Sequence, residues 1–216
     1  MIDNLLNLIK AYYPLKENDA GSFKSFDVNG MNINVFYYDA ENLGNVSVIK
    51  GGNQMMSMDS LIISPFYKDI TLFSYDRIKA FGNDTIWLEL FDVTLNKNTN
   101  ASLINNLNDV LSKYEDIKNE EHHSNWYDSI LLPTSINKKG NNEISSRFDD
   151  LEEEYLSEYL KDSLKALICE ETLKKAKCKE YCDGLLNNGG PSTDVFKKAK
   201  GEEFTKELFH KVLFNV

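Results

Sequence analysis

A three-layer α/β/α sandwich around a central antiparallel sheet is the fold this sequence predicts, and three observations predict it. Short polar turns at Asn29-Gly30 and Gly82-Asn83-Asp84 join strand-like segments, the mark of hairpins and hence of an antiparallel, meandering sheet. The segments beside the second turn are apolar on both faces, so each face needs a cover. Amphipathic helical stretches near both ends of the chain supply those covers.

The elements follow in order. Ile2, Leu5, Leu6, Ile9 and Tyr12/Tyr13 recur at helical spacing until Pro14 stops the run. Residues 22–28 and 31–38 flank Asn29-Gly30 as the first hairpin, and residues 45–50 follow a polar turn containing Gly44. Residues 60–66 are expected to be irregular. Residues 69–79 and 85–94 form the second hairpin, carrying Ile70, Leu72, Phe73 and Tyr75, then Ile86, Trp87, Leu88, Leu90 and Phe91. The sheet should hold about six strands. Leu103, Ile104, Leu107, Val110, Leu111 and Tyr114 form one apolar stripe of a helix over 102–118. Residues 119–146 are polar, contain Pro133 and Gly140, and read as a long excursion, with His122-His123 expected to face solvent in a polar loop. Residues 148–186 hold two or three helices. Ser192 or Thr193 caps a short helix that Gly201 ends, and residues 203–214 form the last one. The whole span 1–216 reads as one domain without internal repeats.

Composition excludes several classes. With 42% apolar and 12% aromatic residues, the chain expects a packed core rather than disorder. No window approaches the roughly 18 apolar residues of a membrane span. The start, Met1-Ile2-Asp3-Asn4, lacks the basic and apolar regions of a signal peptide, and the three cysteines do not suit a disulfide framework, so a cytoplasmic setting is expected. Cys178 and Cys182 are four apart on a helix, with Cys169 upstream; these read as core thiols, not metal ligands. No phosphate-cradling glycine motif supports a nucleotide or flavin. A net charge of −10 disfavours nucleic acid. The charge is uneven: residues 161–211 hold eleven Lys against nine acids, and the remainder thirteen Lys or Arg against twenty-five. The basic stretch is either a solvated counterweight or a face for an acidic partner.

Asp76 stands out on period-two geometry. Ile70, Leu72, Ser74, Asp76 and Ile78 fall on one side of the strand, with Arg77 and Lys79 on the other. A carboxyl among aliphatic groups loses hydration and holds its proton to higher pH, as a proton donor near neutrality must. Spacing alone leaves a second role open and favours it: an exposed strand end, or a buried aspartate satisfied by backbone N–H groups.

The C-terminal segment carries further information. It runs from Tyr181-Cys182 through Asn187-Asn188, Thr193 and Val195–Glu203 to Val212-Leu213-Phe214 and Val216. Together with Leu72-Phe73-Ser74-Tyr75-Asp76 and Leu90-Phe91-Asp92-Val93-Thr94, it resembles the ferredoxin-dependent bilin reductases, a family that includes the red chlorophyll catabolite reductases. The resemblance covers roughly residues 31–95 and 181–216. It implies two-electron reduction of an open-chain tetrapyrrole by reduced ferredoxin, with no bound metal or organic cofactor, in the cytoplasm or in an organelle stroma after removal of a transit peptide. It implies that Asp76 is the proton donor. Lys50 falls at the family's histidine position, following Gly44-Asn45, and a family glutamate would fall near Asp39. Lys50, Ser74 and Asn188 become candidate bilin contacts. Gly189 stands where many members carry an acid, and Asp194 is the candidate replacement. The Lys-rich helices, through Lys174, Lys175, Lys197 and Lys198, become the candidate ferredoxin-docking side. The alternative implied by Gly189 is a relative that binds a tetrapyrrole, or is purely structural, without catalysis.

Overall fold

Both hairpins form on two-residue loops that need left-handed backbone. Asn29 (φ 53°) and Gly30 (φ 78°) turn the first, and Phe81 (φ 51°) and Gly82 (φ 79°) the second. The second loop is therefore Phe81-Gly82, one residue earlier than the turn read from the sequence, and its strands run to the very edge of the loop. The computed structural model describes residues 2–96, 100–121 and 123–216; His122 lies outside them.

Helix α1 (Ile2–Tyr12) precedes strands β1 (Leu15–Asn18), β2 (Ser25–Val28), β3 (Met31–Ala40), β4 (Gly44–Gly52), β5 (Met56–Pro65), β6 (Leu72–Ala80) and β7 (Asn83–Phe91). Helix α2 (Ala101–Ser112), strand β8 (Ile136–Asn141) and helices α3 (Ser145–Lys165), α4 (Glu171–Asn188), α5 (Pro191–Lys200) and α6 (Glu202–Leu208) follow, and a π-helical turn (Phe209–Leu213) ends the chain's last helix. The strands form one eight-stranded antiparallel sheet in the order β1-β3-β4-β5-β6-β7-β8, with β2 beside β1 on the outer edge of β3.

The expected sandwich is observed, with more strands than the sequence suggested. Strand β5 replaces the irregular segment expected at 60–66. Its Pro65 sits at the strand's last position, where the lost N–H donor costs little. Strand β8 emerges from the polar excursion. It is a lysine-rich edge strand, a composition that discourages further pairing. Its Lys138 turns inward and donates to the carbonyls of Tyr114 (3.2 Å) and Ile117.

Each face has its own core. Helices α1, α2 and α3 cover one, where Leu5, Ile9, Leu107, Tyr155 and Tyr159 pack on Val46, Val48, Leu61, Phe73, Tyr75 and Leu88. Helices α4, α5 and α6 and the terminal turn cover the other, where Cys178, Tyr181, Phe196, Phe209 and Phe214 pack toward Val35, Ile49, Leu72 and Phe91. Arg77 confirms the alternation along β6. It points into the first core, fully buried, and bonds both carboxylate oxygens of Asp84 (2.9 and 2.6 Å) and one of Glu152 (3.0 Å). Ile70 departs from the expected pattern: it precedes β6 and packs into the first core, not beside Asp76. Among the described residues, no helix is long and apolar enough to cross a membrane, and no cluster of three His, Cys, Asp or Glu side chains forms a metal site.

Candidate active site

A pocket of about 90 Å³ lies between the second face of the sheet and its helical cover. The floor comes from neighbouring strands in register. Ser60 on β5 stands opposite Asp76 on β6, Ile62 opposite Ser74, and Ser74 opposite Glu89 on β7. The walls are Tyr127 and Tyr181, and the roof comprises Leu185, Thr193, Phe196 and Phe209 together with Leu213 and Phe214.

The roof is fixed to the sheet by polar contacts. The Asn45 amide donates to the carbonyls of Val212 (3.2 Å) and Leu213 (3.0 Å), and the Ser47 hydroxyl donates to Leu213 (2.8 Å). The π-helical turn, in which the Phe214 N–H reaches back to the Phe209 carbonyl (2.9 Å), leaves these oxygens available. The Tyr181 ring stacks on Phe91 at 4.3 Å, and Trp126 lies over Gly184, where a Cβ would meet its ring at 2.2 Å. Helix α5 is set between glycines. Gly189 (φ 85°, ψ 173°) and Gly201 (φ 89°, ψ 165°) hold extended, positive-φ conformations open essentially to glycine at its two ends, and Pro191 begins its first turn.

Two carboxyl groups share the floor. Asp76 is half-buried, accepts a hydrogen bond from the Ser60 hydroxyl, and has its pKa raised to about 6 because burial outweighs that bond. Glu89, diagonal to Asp76 across the β6–β7 pair, is raised to about 7, mainly by burial and further by the charge of Asp76. No lysine, arginine or histidine lines the pocket among the described residues, so nothing cationic there favours the ionised forms. Burial, and then the charge of Glu89, pushes the ionisation of Tyr127 and Tyr181 up, so both remain neutral phenols. Such a lining sets aromatic walls around two carboxyl groups that keep their protons to about pH 6 and about pH 7, well above the usual carboxylate range.

Asp76 and Ser74, expected in the site, both line the pocket. Glu89 joins them and was not singled out in the sequence. The other expected contacts lie elsewhere. Lys50 shares the Val46–Val48 face of β4, and its ammonium pairs with Asp3 of α1 at 2.6 Å on the far side of the sheet. Ile49 occupies the pocket face instead. Asp39, on β3, is outside the pocket. Asn188 is exposed and donates to the Gly184 carbonyl of its own helix (3.1 Å). Asp194 is exposed in the first turn of α5, where a carboxylate suits the helix dipole, and its oxygens stand 3.0 Å from where a Gly189 Cβ would lie. Ser192 and Thr193 face the pocket in its place.

The lysines divide sharply. Lys174 is wholly buried and bonds the carbonyls of Ile70 (2.7 Å) and Val93 (2.8 Å) and the Asp69 carboxylate (3.3 Å). It ties α4 to the strand ends and offers nothing to a surface partner. Lys175 is half-buried, pairs with Glu171 (2.9 Å) and lies 4.7 Å over the Phe66 ring. Lys197 is half-buried and donates to the Leu186 carbonyl, while Lys198 is exposed.

No protein-family model matches the sequence, and no curated protein matches it. Among solved structures, the chain is similar to phytochromobilin synthase from tomato in complex with biliverdin, at a TM-score of 0.82 and 13% identity over 99% of this chain and 81% of that one. At that identity the likeness speaks for the fold: the chain has the three-layer antiparallel fold of a bilin reductase.

Proposed function

We propose that the pocket binds an open-chain tetrapyrrole and that the protein reduces it with electrons from reduced ferredoxin. The observation that carries this reading is Asp76: a carboxylic acid with a pKa raised to about 6, in the floor of an aromatic pocket without cations. The fold is shared with an enzyme solved in complex with biliverdin, which supports a bilin as the ligand class. Asp76 would supply a proton as the pigment accepts an electron, Ser60 would orient its carboxyl, and Ser74 would line the pigment's face. This chain contributes binding, water exclusion and proton delivery, and the reduced iron–sulfur protein supplies the electrons. Such a reaction belongs in a compartment that maintains reduced ferredoxin, cytoplasm or stroma.

A cavity of about 90 Å³ is far below the roughly 300–1,000 Å³ of ligand sites. The pigment must therefore displace part of the roof. Helix α5 is suited to that movement, because its glycine-bounded ends place rotation at Gly189 and Gly201. Lys197 and Lys198 on this helix, with Lys175 on α4, remain the candidate docking side for an acidic ferredoxin.

Gly189 at a usual acid position favours a second reading, pigment binding without turnover. Single-turnover reduction of biliverdin by the wild type and Asp76→Asn decides between them. On the catalytic reading, both bind pigment, and reduction slows in the variant by on the order of 10²–10⁴. Pigment binding with no reduction by the wild type selects the second reading. Wild-type rates in Asp76→Asn remove Asp76 from the mechanism.

A further inference from the structure

The reduction requires two protons, and the acid expected near the C-terminus is absent: its position is Gly189, and Asp194 is exposed on the outer side of α5. The pocket nevertheless holds a second carboxyl group. Glu89 lies on β7, directly opposite Ser74 and diagonal to Asp76, and borders the same cavity. Resting on the reductase reading of this pocket, we propose that Glu89 is the second proton donor, serving after Asp76 has delivered the first proton.

Its surroundings support a protonated, donor-ready carboxyl. The polar groups lining the shared pocket are Ser60 of β5, Ser74 and Asp76 of β6, Tyr127 of the segment before β8, Tyr181 of α4, and Ser192 and Thr193 of α5. None is a cation, and Asp76 in its ionised form works directly against ionisation of Glu89. That coupling sets an order. Transfer of the Asp76 proton leaves a carboxylate beside Glu89, which holds the Glu89 proton until the second electron makes the pigment basic enough to take it. The balance closes: two one-electron transfers from reduced ferredoxin and one proton from each carboxyl add two hydrogens to the pigment. Both acids end as carboxylates and are reprotonated from solvent.

Anaerobic single-turnover reduction of biliverdin by reduced ferredoxin tests the assignment in the wild type, Asp76→Asn, Glu89→Gln and the double variant, followed by absorbance and electron paramagnetic resonance across pH. Glu89→Gln should take up the first electron and proton at nearly the wild-type rate and then stall. A protonated pigment radical should persist, with product formation slowed on the order of 10²–10⁴. Asp76→Asn should stall one step earlier, and the double variant should behave like Asp76→Asn. In the wild type the second step should slow as pH rises above about 7, the value to which Glu89 is raised, and Glu89→Gln should lose that dependence. Glu89→Asp, which keeps an acid at shorter reach, should recover part of the rate. Wild-type rates and an unchanged pH profile in Glu89→Gln overturn the assignment while leaving the reductase reading intact. Failure of the wild type to reduce biliverdin overturns both. If Glu89→Gln does not fold, a second step in the wild type that is insensitive to pH overturns the assignment on its own.

Discussion

Replacing Asp76 by Asn should stabilise the protein, and increasingly so as pH rises. The carboxyl has an ordinary value of 3.8 and is raised to about 6 in the folded chain. The folded state therefore holds this proton more tightly than the unfolded chain does. Stability falls as pH climbs from about 4 to about 6 and stays reduced above that range. A shift of about two units corresponds to about 3 kcal/mol at neutral pH, of which roughly half is already present at about pH 5. Asn keeps a carbonyl oxygen for the Ser60 hydroxyl but carries no ionisable proton, so the penalty disappears with the substitution. Urea denaturation of wild type and variant measures this directly. The stability gained by Asp76→Asn should be about 1–2 kcal/mol larger at about pH 8 than at about pH 5. Because the Asp76 charge also raises Glu89, gains from Asp76→Asn and Glu89→Gln should not add. A variant destabilised equally at both pH values would instead make Asp76 a satisfied structural group whose hydrogen bonds Asn cannot replace.

Three further outcomes follow from the same geometry. Lys174→Met should destabilise the fold by about 3–5 kcal/mol, visible as a large fall in the urea midpoint, because it leaves Asp69 buried without its cation; a salt-sensitive loss of electron delivery with unchanged stability would instead mark a docking lysine. Gly201→Ala should cost about 1–3 kcal/mol through its backbone alone, since φ 89° with ψ 165° is open essentially to glycine while an added Cβ meets no neighbour, and should slow pigment uptake in stopped-flow absorbance; unchanged stability and uptake would remove Gly201 as a hinge. Lys197→Glu with Lys198→Glu should weaken ferredoxin-driven reduction and flatten its dependence on salt while leaving biliverdin binding near wild type; unchanged kinetics at low salt would exclude this docking face.

The hairpin turns and the alternation along β6 were legible in the sequence because each rests on local rules: left-handed turn residues and period-two geometry. Those rules placed Asp76 and Ser74 on one face and Arg77 on the other. The same rule applied to Ile86-Trp87-Leu88-Glu89-Leu90-Phe91 would have exposed Glu89, the one acid within a run that is otherwise apolar on both sides. What local pattern could not supply was register. With β5 read as irregular, nothing in the chain showed that Ser60 stands beside Asp76, or that β4 presents Ile49 to the pocket and Lys50 to the opposite face. Lys174 shows a different failure. It lies on the helical stripe of Cys178, Tyr181 and Cys182, so its spacing pointed inward while its charge suggested solvent. Three oxygen acceptors resolve that conflict, and they come from segments distant in sequence. The C-terminal layer was legible as helices, but the π-helical turn and its bonds to Asn45 and Ser47 depend on contacts with β4 that no local signal encodes.

A visible-absorbance titration of the protein with biliverdin shows whether the cavity over Asp76 receives a bilin. The wild type should give a saturable, red-shifted pigment band at one equivalent. Ser74→Trp, which fills the floor between Ile62 and Glu89 without touching the protein's outer surface, should abolish that band while the fold persists by circular dichroism. An unshifted, non-saturating spectrum with the wild type, or a band unchanged in Ser74→Trp, would mean that no bilin sits over Asp76.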